Sequence, residues 1–532
     1  MAFLLQISNS KSYLWFREHS QQLILIVALA VVLTVNYQLL FTFFWRDDFL
    51  HFYQIANWNP LEFIFLPYGN QFFPFRQLIY YCLFKLFGVN SVVYFSIVLL
   101  THVGSTYILY KIIHLLTGKP LLAAAGTMIW AIHPGNYASL AYFPAYGQNL
   151  TGFLFLLFLY DLIRIEKDKI SLSTITTIRW SIYIIIMATS YGTGLAIACL
   201  SPIIIIMILW ENGKKWKTAA SMLPIIVVIL LLFFFKDSIY YYFSGEVYNS
   251  TPVALSVALN NYKIILEMFI RMCAYGIYCM VAFPILVLTY NPSGTPQYPL
   301  IAFFISIPVV ILFIVMFSRS KEYKRHYAVL SILFLGLIGL HAYGRATLYQ
   351  SFGFPINVAS MTFRYYYFIF LLVTLILSLM ADELDDIYPK IAKVTVPFVF
   401  IIIAISIYPS INLAKIIDVM AAASVNERKL YYETIADIEK TLRAYPTGSS
   451  VFIDNTMKNH FSIFLPSSTD FPGKAAVFAI GYPNNTTEGR RVYFIEKDCR
   501  VAQDNLAKKN WRISSLMLSA CDLKKIRITD DK

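Results

Sequence analysis

Two adjacent carboxylates, Asp47 and Asp48, follow directly after the first long apolar segment of the chain, residues 23–44. An Asp at the centre of a membrane-spanning helix costs ~2.5–3.5 kcal/mol, so carboxylates at a membrane boundary need solvation, a partner or a function. One interpretation is a hydrated boundary in which Arg46 pairs with a carboxylate. The other is a general base that takes a proton from an acceptor hydroxyl or amine. Spacing does not separate the two residues, because Arg46 could neutralise Asp47 and leave Asp48 as the base.

Three arginines occur on the side of the membrane where positive charges are normally rare. Arg76, Arg345 and Arg364 all fall at predicted outer loops or helix ends. Each one alone is explained by an interfacial arginine that extends its charge into water. Three together favour an anionic ligand, because a guanidinium can bind a phosphate through two parallel hydrogen bonds. His102, within the second apolar segment, is a further candidate, although a hydrogen-bonded core histidine is the simpler interpretation.

The composition excludes a soluble globular protein. Hydrophobic residues make up 58% of the 532 residues and charged residues only 14%, whereas soluble domains are roughly 25% charged. The mean hydropathy is +0.61. Of the 73 charged residues, 32 follow residue 413. The sequence therefore predicts a polytopic α-helical membrane region, 1–413, followed by a small extracytoplasmic α/β domain, 414–532.

Hydropathy predicts about eleven transmembrane helices. Basic runs flank the apolar segments and, by the positive-inside rule, assign the N-terminus to the cytoplasm and the C-terminal domain to the outside of a cytoplasmic (inner) membrane. This topology requires that segment 262–288 does not cross. Its polar stripe of Lys263, Glu267 and Arg271 favours a helix lying in the outer interface, with a later half that could dip inward and return. The predicted spans are 23–44, 92–115, 121–133, 147–163, 179–191, 193–210, 219–235, 299–317, 327–343, 361–380 and 394–412.

The regions outside these spans are two long outer loops and the C-terminal domain. The loops are 45–90, in which we expect helices lying along the membrane, and 236–299. In the C-terminal domain, Cys499 and Cys521 could form a disulfide if the domain is exported. The elements predicted in this domain are a helix at 426–444 and strands at 450–453, 475–480 and 492–495.

Several kinds of site and partner find no support in the sequence. The net charge of +13 lies largely in the membrane flanks, so no nucleic-acid partner is expected. The six cysteines and eight histidines show no metal-ligand spacing. A glycine-rich phosphate loop is also missing, which disfavours a free nucleotide as a substrate.

Seven short motifs resemble those of the GT-C superfamily of membrane glycosyltransferases, in the branch of protein O-mannosyltransferases and the lipid A aminoarabinose transferase. The resemblance covers roughly residues 23–380, and the order of the motifs is more specific than any one of them. The motifs are Asp47-Asp48, Tyr-Gly-Asn-Gln-Phe-Phe-Pro-Phe-Arg at 68–76, Leu-Phe-Gly-Val-Asn at 86–90, Leu100-Thr101-His102, Ala-Ile-His-Pro at 131–134, the turn at 191–194 and Phe363-Arg364-Tyr365.

This resemblance implies a polyprenyl-phosphate-sugar donor and extracytoplasmic transfer with inversion at the anomeric carbon. Asp47 matches the family's catalytic Asp in the first outer loop, and Asp48 matches its neighbour. Arg364, followed by Tyr365, matches an Arg-Tyr pair that is a candidate for binding the donor phosphate.

Two departures from the family pattern leave the substrate open. Gln71 stands where many relatives have a His, and Tyr191-Gly192 stands where many have a Lys-Glu pair. The sugar, and any metal or second-carboxylate role, are therefore not assigned by the resemblance.

The sequence thus predicts an integral-membrane glycosyltransferase that acts on a glycan, lipid or protein acceptor. Asp47 is the predicted general base, Asp48 an orienting group, and the arginines the phosphate ligands. The donor is the lipid-linked sugar itself, so no cofactor is required; a divalent metal at the Asp pair is less favoured. The alternatives are a transporter or flippase of a lipid-linked sugar, which would need ionisable groups or broken helices near the midplane, and a non-catalytic scaffold that presents the C-terminal domain.

Overall fold

The structure is a computed structural model that describes most of the membrane region and four stretches of the C-terminal region. Arg46, the predicted span 394–412, the predicted domain boundary at 413/414, and Cys499 and Cys521 lie outside the described residues. The described residues are 11–45, 47–68, 71–170, 173–210, 215–245, 260–282, 299–351, 356, 360, 362–387, 419–455, 473–482, 490–496 and 517–519.

The membrane region is a bundle of helices, because in lipid every backbone N–H and C=O must find its partner inside the protein. Its main helices, in chain order, are α1 (Lys11–Asn36), α2 (Asp47–Asn57), α3 (Pro60–Ile64), α4 (Pro74–Phe87), α5 (Ser91–Thr117), α6 (Pro120–Ala131), α7 (Pro134–Leu140), α8 (Tyr146–Lys167), α9 (Thr174–Ala188), α10 (Gly192–Ile208), α11 (Lys215–Phe234), α12 (Lys236–Ser244), α13 (Tyr262–Val281), α14 (Pro299–Arg319), α15 (Lys324–Ser351) and α16 (Tyr367–Ile387).

Within the described residues, eight helices are long and apolar enough to cross a membrane: α1, α5, α8, α11, α13, α14, α15 and α16. The helices α6, α9 and α10 are apolar but shorter. Ten of the eleven predicted spans coincide with helices of this set. The structure therefore confirms a polytopic helical membrane protein, while the last predicted span stays a prediction.

The segment 262–288 was predicted to lie in the outer interface, and its position relative to the membrane stays a prediction. Its residues 262–281 form α13, a helix of membrane-spanning length that packs on one side against α14, α15 and α16. The hydroxyl of Ser306 on α14 donates to the Ala274 carbonyl over 2.8 Å. The polar stripe does not prevent this packing, because Arg271 and Glu267 neutralise each other at 2.8 Å.

One end of the bundle, called here the Lys119 end, is joined by ion pairs and hydrogen bonds. The ammonium of Lys119 lies 2.8 Å from the Asp382 carboxylate, to which the Tyr323 hydroxyl donates over 2.6 Å. Lys167, in the last turn of α8, donates over 2.7 Å to a carbonyl in the last turn of α5. The basic residues around Lys167 and after Arg319, predicted to share one side of the membrane, therefore lie at the same end of the bundle.

The first outer loop contains the predicted short helices, α2, α3 and α4, and a small hairpin of β1 (Pro67–Tyr68) and β2 (Gln71–Phe72). Both α3 and α4 begin with Pro, a residue suited to the first helical turn because the N–H it lacks would have no partner there. Asn59 precedes α3, and its side chain accepts the Leu61 N–H over 2.9 Å.

The C-terminal region contains a parallel three-stranded sheet with two helices, in agreement with the predicted α/β class. Parallel neighbours need long connections, and the chain between the first two strands includes a helix. The elements are α17 (Val419–Arg443), β3 (Ser450–Asp454), α18 (Gly473–Gly481), β4 (Arg491–Glu496) and β5 (Met517–Ser519), with the strand order β3-β4-β5.

One predicted strand of this region, 475–480, is a helix instead. A short apolar run has no periodicity that separates a buried strand from a buried helix. A tertiary contact stabilises the start of α18. The side chain of Asn455, which follows β3, accepts the Ala475 N–H in the first turn of this helix over 2.9 Å. The predicted helix 426–444 and the strands 450–453 and 492–495 are confirmed as α17, β3 and β4.

Candidate active site

Asp47 and Asp48 are the first two residues of α2, where the free N–H groups of a helix favour negative charge. Asp48 is buried. One of its oxygens accepts the Trp45 N–H over 2.9 Å, and the other accepts the hydroxyl of Tyr80. Asp47 is half-buried, and its Oδ2 accepts the Tyr142 hydroxyl over 2.5 Å. None of the described residues donates a hydrogen bond to Asp47 Oδ1.

The two carboxylates differ in their environment. Burial, with a smaller contribution from the charges of Asp47 and Glu427, raises the pKa of Asp48 to about 8 despite the lowering effect of its two hydrogen bonds. Asp48 is therefore mostly protonated at neutral pH and cannot accept a proton from an acceptor. The environment therefore distinguishes the two residues, which spacing does not.

Tyr142 connects Asp47 to the arginines. It lies between α7 and α8, and its ring is packed edge-on against Trp45 with centroids 5.8 Å apart. While its hydroxyl binds Asp47, the guanidinium carbon of Arg364 lies 5.8 Å from its ring centroid. This is the distance range of a cation–π contact. One aromatic side chain therefore contacts both a carboxylate and a guanidinium.

The three predicted arginines converge on the same end of the bundle. Arg345, near the end of α15, and Arg364, before α16, place their guanidinium carbons 5.6 and 5.4 Å from the ring centroid of Tyr365. Arg76, on α4, lies 4.7 Å from the ring centroid of Phe73 and donates to the Pro144 carbonyl over 3.0 Å.

The phenol of Tyr191 is within electrostatic reach of all three guanidiniums. It occupies the turn between α9 and α10, and its ring is stacked on Phe73 at a centroid distance of 5.6 Å. Burial and the nearby Tyr365 raise the pKa of Tyr191, while Arg345, Arg364 and Arg76 each lower it. All three arginines are therefore close enough to act on one phenol, and together they form a cationic, aromatic-lined site.

His102 is placed as a core residue rather than as part of this cluster. It lies on the membrane-length helix α5 and is buried. Its ring nitrogens lie 3.0 Å from the Tyr367 hydroxyl and 2.9 Å from the Ala131 carbonyl oxygen, so both have partners. No group of three or more His, Cys, Asp or Glu side chains in the described part of the chain is arranged to hold a metal.

Two site residues were missed because they are aromatic in an aromatic-rich chain. Tyr142 begins the run Tyr142-Phe143-Pro144, for which a structural turn is the simplest interpretation, and Tyr191 belongs to the tight turn 191–194, where it departs from the family pattern. With aromatics at 17% of the chain, neither residue type nor spacing marks them. The remaining signal is that both lie in short loops between helices on the predicted outer side.

Solved structures that match the chain include the two that follow, whereas no family model and no curated protein matches it. The Archaeoglobus fulgidus oligosaccharyltransferase, tethered with an acceptor peptide that contains the NVT sequon, matches with 16% identity and a TM-score of 0.45 over 88% of this chain. The chain spans 64% of that protein's length. ArnT from Cupriavidus metallidurans, bound to undecaprenyl phosphate, matches with 9% identity and a TM-score of 0.44 over 95% of this chain and 90% of its own.

Proposed function

We propose that this protein is an integral-membrane glycosyltransferase that moves a sugar from a polyprenyl-phosphate donor to an extracytoplasmic acceptor. The observation that carries the proposal is the position of Tyr142 between Asp47 and Arg364. A base and a phosphate-binding cation are the two groups that such a transfer needs on opposite sides of the reacting carbon.

The proposed reaction is a single displacement at the anomeric carbon. Asp47 removes the proton from the acceptor hydroxyl or amine, and the acceptor atom forms its bond to that carbon on the face opposite the phosphate. The bond between the anomeric carbon and the phosphate oxygen breaks, and its electron pair stays on that oxygen. The configuration therefore inverts, and the guanidiniums of Arg364, Arg345 and Arg76 stabilise the departing phosphate.

Asp48 supports this reaction by holding the start of α2 in place, and it does not contact the substrate. Its two hydrogen bonds, from Trp45 and Tyr80, tie the start of α2 to the preceding chain and to α4. The carboxylate of Asp47 is then presented on a first turn that cannot rotate freely. Such pre-organisation is what makes a general base effective.

The position of the site suits a lipid-linked donor. The candidate residues lie at the opposite end of the bundle from Lys119, and the bundle includes helices whose apolar faces are exposed, such as α11 and α14. The polyprenyl chain can stay in the bilayer while the phosphate and sugar enter the cationic site. We expect glycan, lipid and protein acceptors to be the classes worth testing, with no metal or other cofactor required.

Sugar transfer by the purified chain, using polyprenyl-phosphate-sugars extracted from the native host and its envelope fractions as acceptors, tests this proposal. We expect Arg364→Gln to lower the transfer rate about 10²–10³-fold, the loss typical of removing one group that stabilises a developing anion. Arg271→Gln is the matched control, because Arg271 pairs with Glu267 on its own helix, α13, and it should transfer at the wild-type rate. Donor binding and movement across a vesicle membrane without sugar transfer would instead support the transporter.

A further inference from the structure

The C-terminal region packs directly on the helix that carries the two carboxylates. Tyr431, on α17, is buried, and its ring centroid lies 6.0 Å from that of Phe49 and 6.4 Å from that of Phe43. Phe49 is the residue after Asp48, so this aromatic contact acts on the first turn of α2. The second helix of the C-terminal region, α18, also packs against α2.

The same face of α17 carries Glu427, whose negative charge acts on Asp48. Glu427 lies one helical turn before Tyr431 and is buried. Its negative charge is among the causes that raise the pKa of Asp48. Arg428, beside it, places its guanidinium carbon 5.8 Å from the ring centroid of Phe43. The contact between α17 and α2 therefore lies close behind Asp48.

This face is held rigidly to the rest of the C-terminal region. Ile435, one turn after Tyr431, packs against Gly481 at the end of α18, and the Tyr482 hydroxyl donates to Glu439 over 3.1 Å. These contacts tie α17 to α18. A displacement of the C-terminal region would therefore be transmitted to Phe49 and to the start of α2.

We propose that Tyr431 is a positioning residue of the transfer site, through which the C-terminal region holds the first turn of α2 and the Asp47 carboxylate at its start. This inference rests on the proposed function. A base displaced by about 1 Å can lose roughly 10²-fold in rate. Because Tyr431 contacts Phe49 and not the cationic site around Tyr191, its loss affects the orientation of the base and leaves donor binding intact.

The test uses the full chain with three substitutions: Tyr431→Ala, Tyr431→Phe and, as the control, Phe452→Ala. Phe452 is an aromatic residue of the same region that stacks on Tyr493 and is 46% exposed. Two quantities are measured, namely kcat and KM for the lipid donor, and amide hydrogen exchange in residues 47–57. The exchange measurement needs no enzymatic activity and shows whether the rest of the chain is folded.

We expect Tyr431→Ala to lower kcat by about 10- to 100-fold with KM for the donor within about twofold, and to speed exchange at the start of α2 alone. Tyr431→Phe should restore both, because the contact is made by the ring, and Phe452→Ala should change neither.

Unchanged exchange in α2, or unchanged kcat in an active protein, would overturn the inference. If wild type has no transfer activity, the proposed function fails, and the inference about catalysis fails with it; a wild type that is active while Tyr431→Ala is equally active refutes the inference alone.

Discussion

Asp47 and Asp48 are adjacent in the chain, yet one is half-buried beside Tyr142 and the other is enclosed by Trp45 and Tyr80. Their charge at an apolar boundary is visible in the sequence, and so is the unusual placement of the arginines. Their division of roles is not, because burial of Asp48 depends on a tyrosine 32 residues away in a different helix. Side-chain packing of this kind follows from tertiary structure and has no local signature.

The raised pKa of Asp48 predicts a specific dependence of stability on pH. Its pKa is about 8 in the folded protein against an ordinary value of 3.8, so its contribution is fully present below about pH 4 and is lost as pH rises to about 8. Asp48→Asn removes this titration. We expect the apparent Tm of wild type, relative to the variant, to fall by at least about 2 °C between pH 4.5 and 8. Parallel curves for the two proteins would contradict the buried, protonated state.

At the scale of elements, the turn between α9 and α10 shows what hydropathy can and cannot provide. The sequence predicts two short apolar helices split at 191–194, and the structure confirms them. The convergence of the arginines on Tyr191 could not be predicted, because it requires α4, α15 and the chain before α16 to meet at this turn. The assignment of 475–480 as a strand was wrong for a similar reason, since the packing partners of this segment outweighed its local pattern.

The turn between α9 and α10 is tightly packed at Gly194. A Cβ at position 194 would lie 1.8 Å from the Met187 carbonyl oxygen, so Gly194→Ala must push α9 and α10 apart and displace Tyr191. We expect at least a tenfold loss of donor affinity, measured by binding of the extracted lipid donor. Gly339→Ala is the matched control, because its Cβ would meet only the Phe269 ring at 3.8 Å, an ordinary contact. Equal affinity in both variants would show that the turn does not shape the donor site.

At the scale of the whole molecule, the bundle has two chemically different ends. The basic residues around Lys167 and after Arg319 lie at the Lys119 end, and the candidate site lies at the other end. Composition and hydropathy predict this division, because charge asymmetry and span lengths are properties of the sequence itself. How the C-terminal region contacts α2 could not be predicted, since it depends on Tyr431 and Phe49, residues far apart in the chain.

The predicted orientation can be tested by labelling cysteines in intact cells. In a variant whose native cysteines are replaced by Ala, Asn90→Cys, before α5, should react with a membrane-impermeant maleimide added outside. Asp168→Cys, after α8, should react only once the cells are opened. Both positions are exposed, so labelling reports the side of the membrane. The reverse pattern would place the candidate site in the cytoplasm and exclude an extracytoplasmic acceptor.

The most direct test of the central claim compares single-turnover sugar transfer by wild type, Asp47→Asn and Asp48→Asn at saturating donor and acceptor. If Asp47 is the base, Asp47→Asn should lose about 10²–10⁴-fold in rate. Asp48→Asn loses one of two supporting hydrogen bonds and should stay within about tenfold of wild type. Equal rates for all three proteins, or the large loss in Asp48→Asn with a nearly normal Asp47→Asn, would contradict Asp47 as the base.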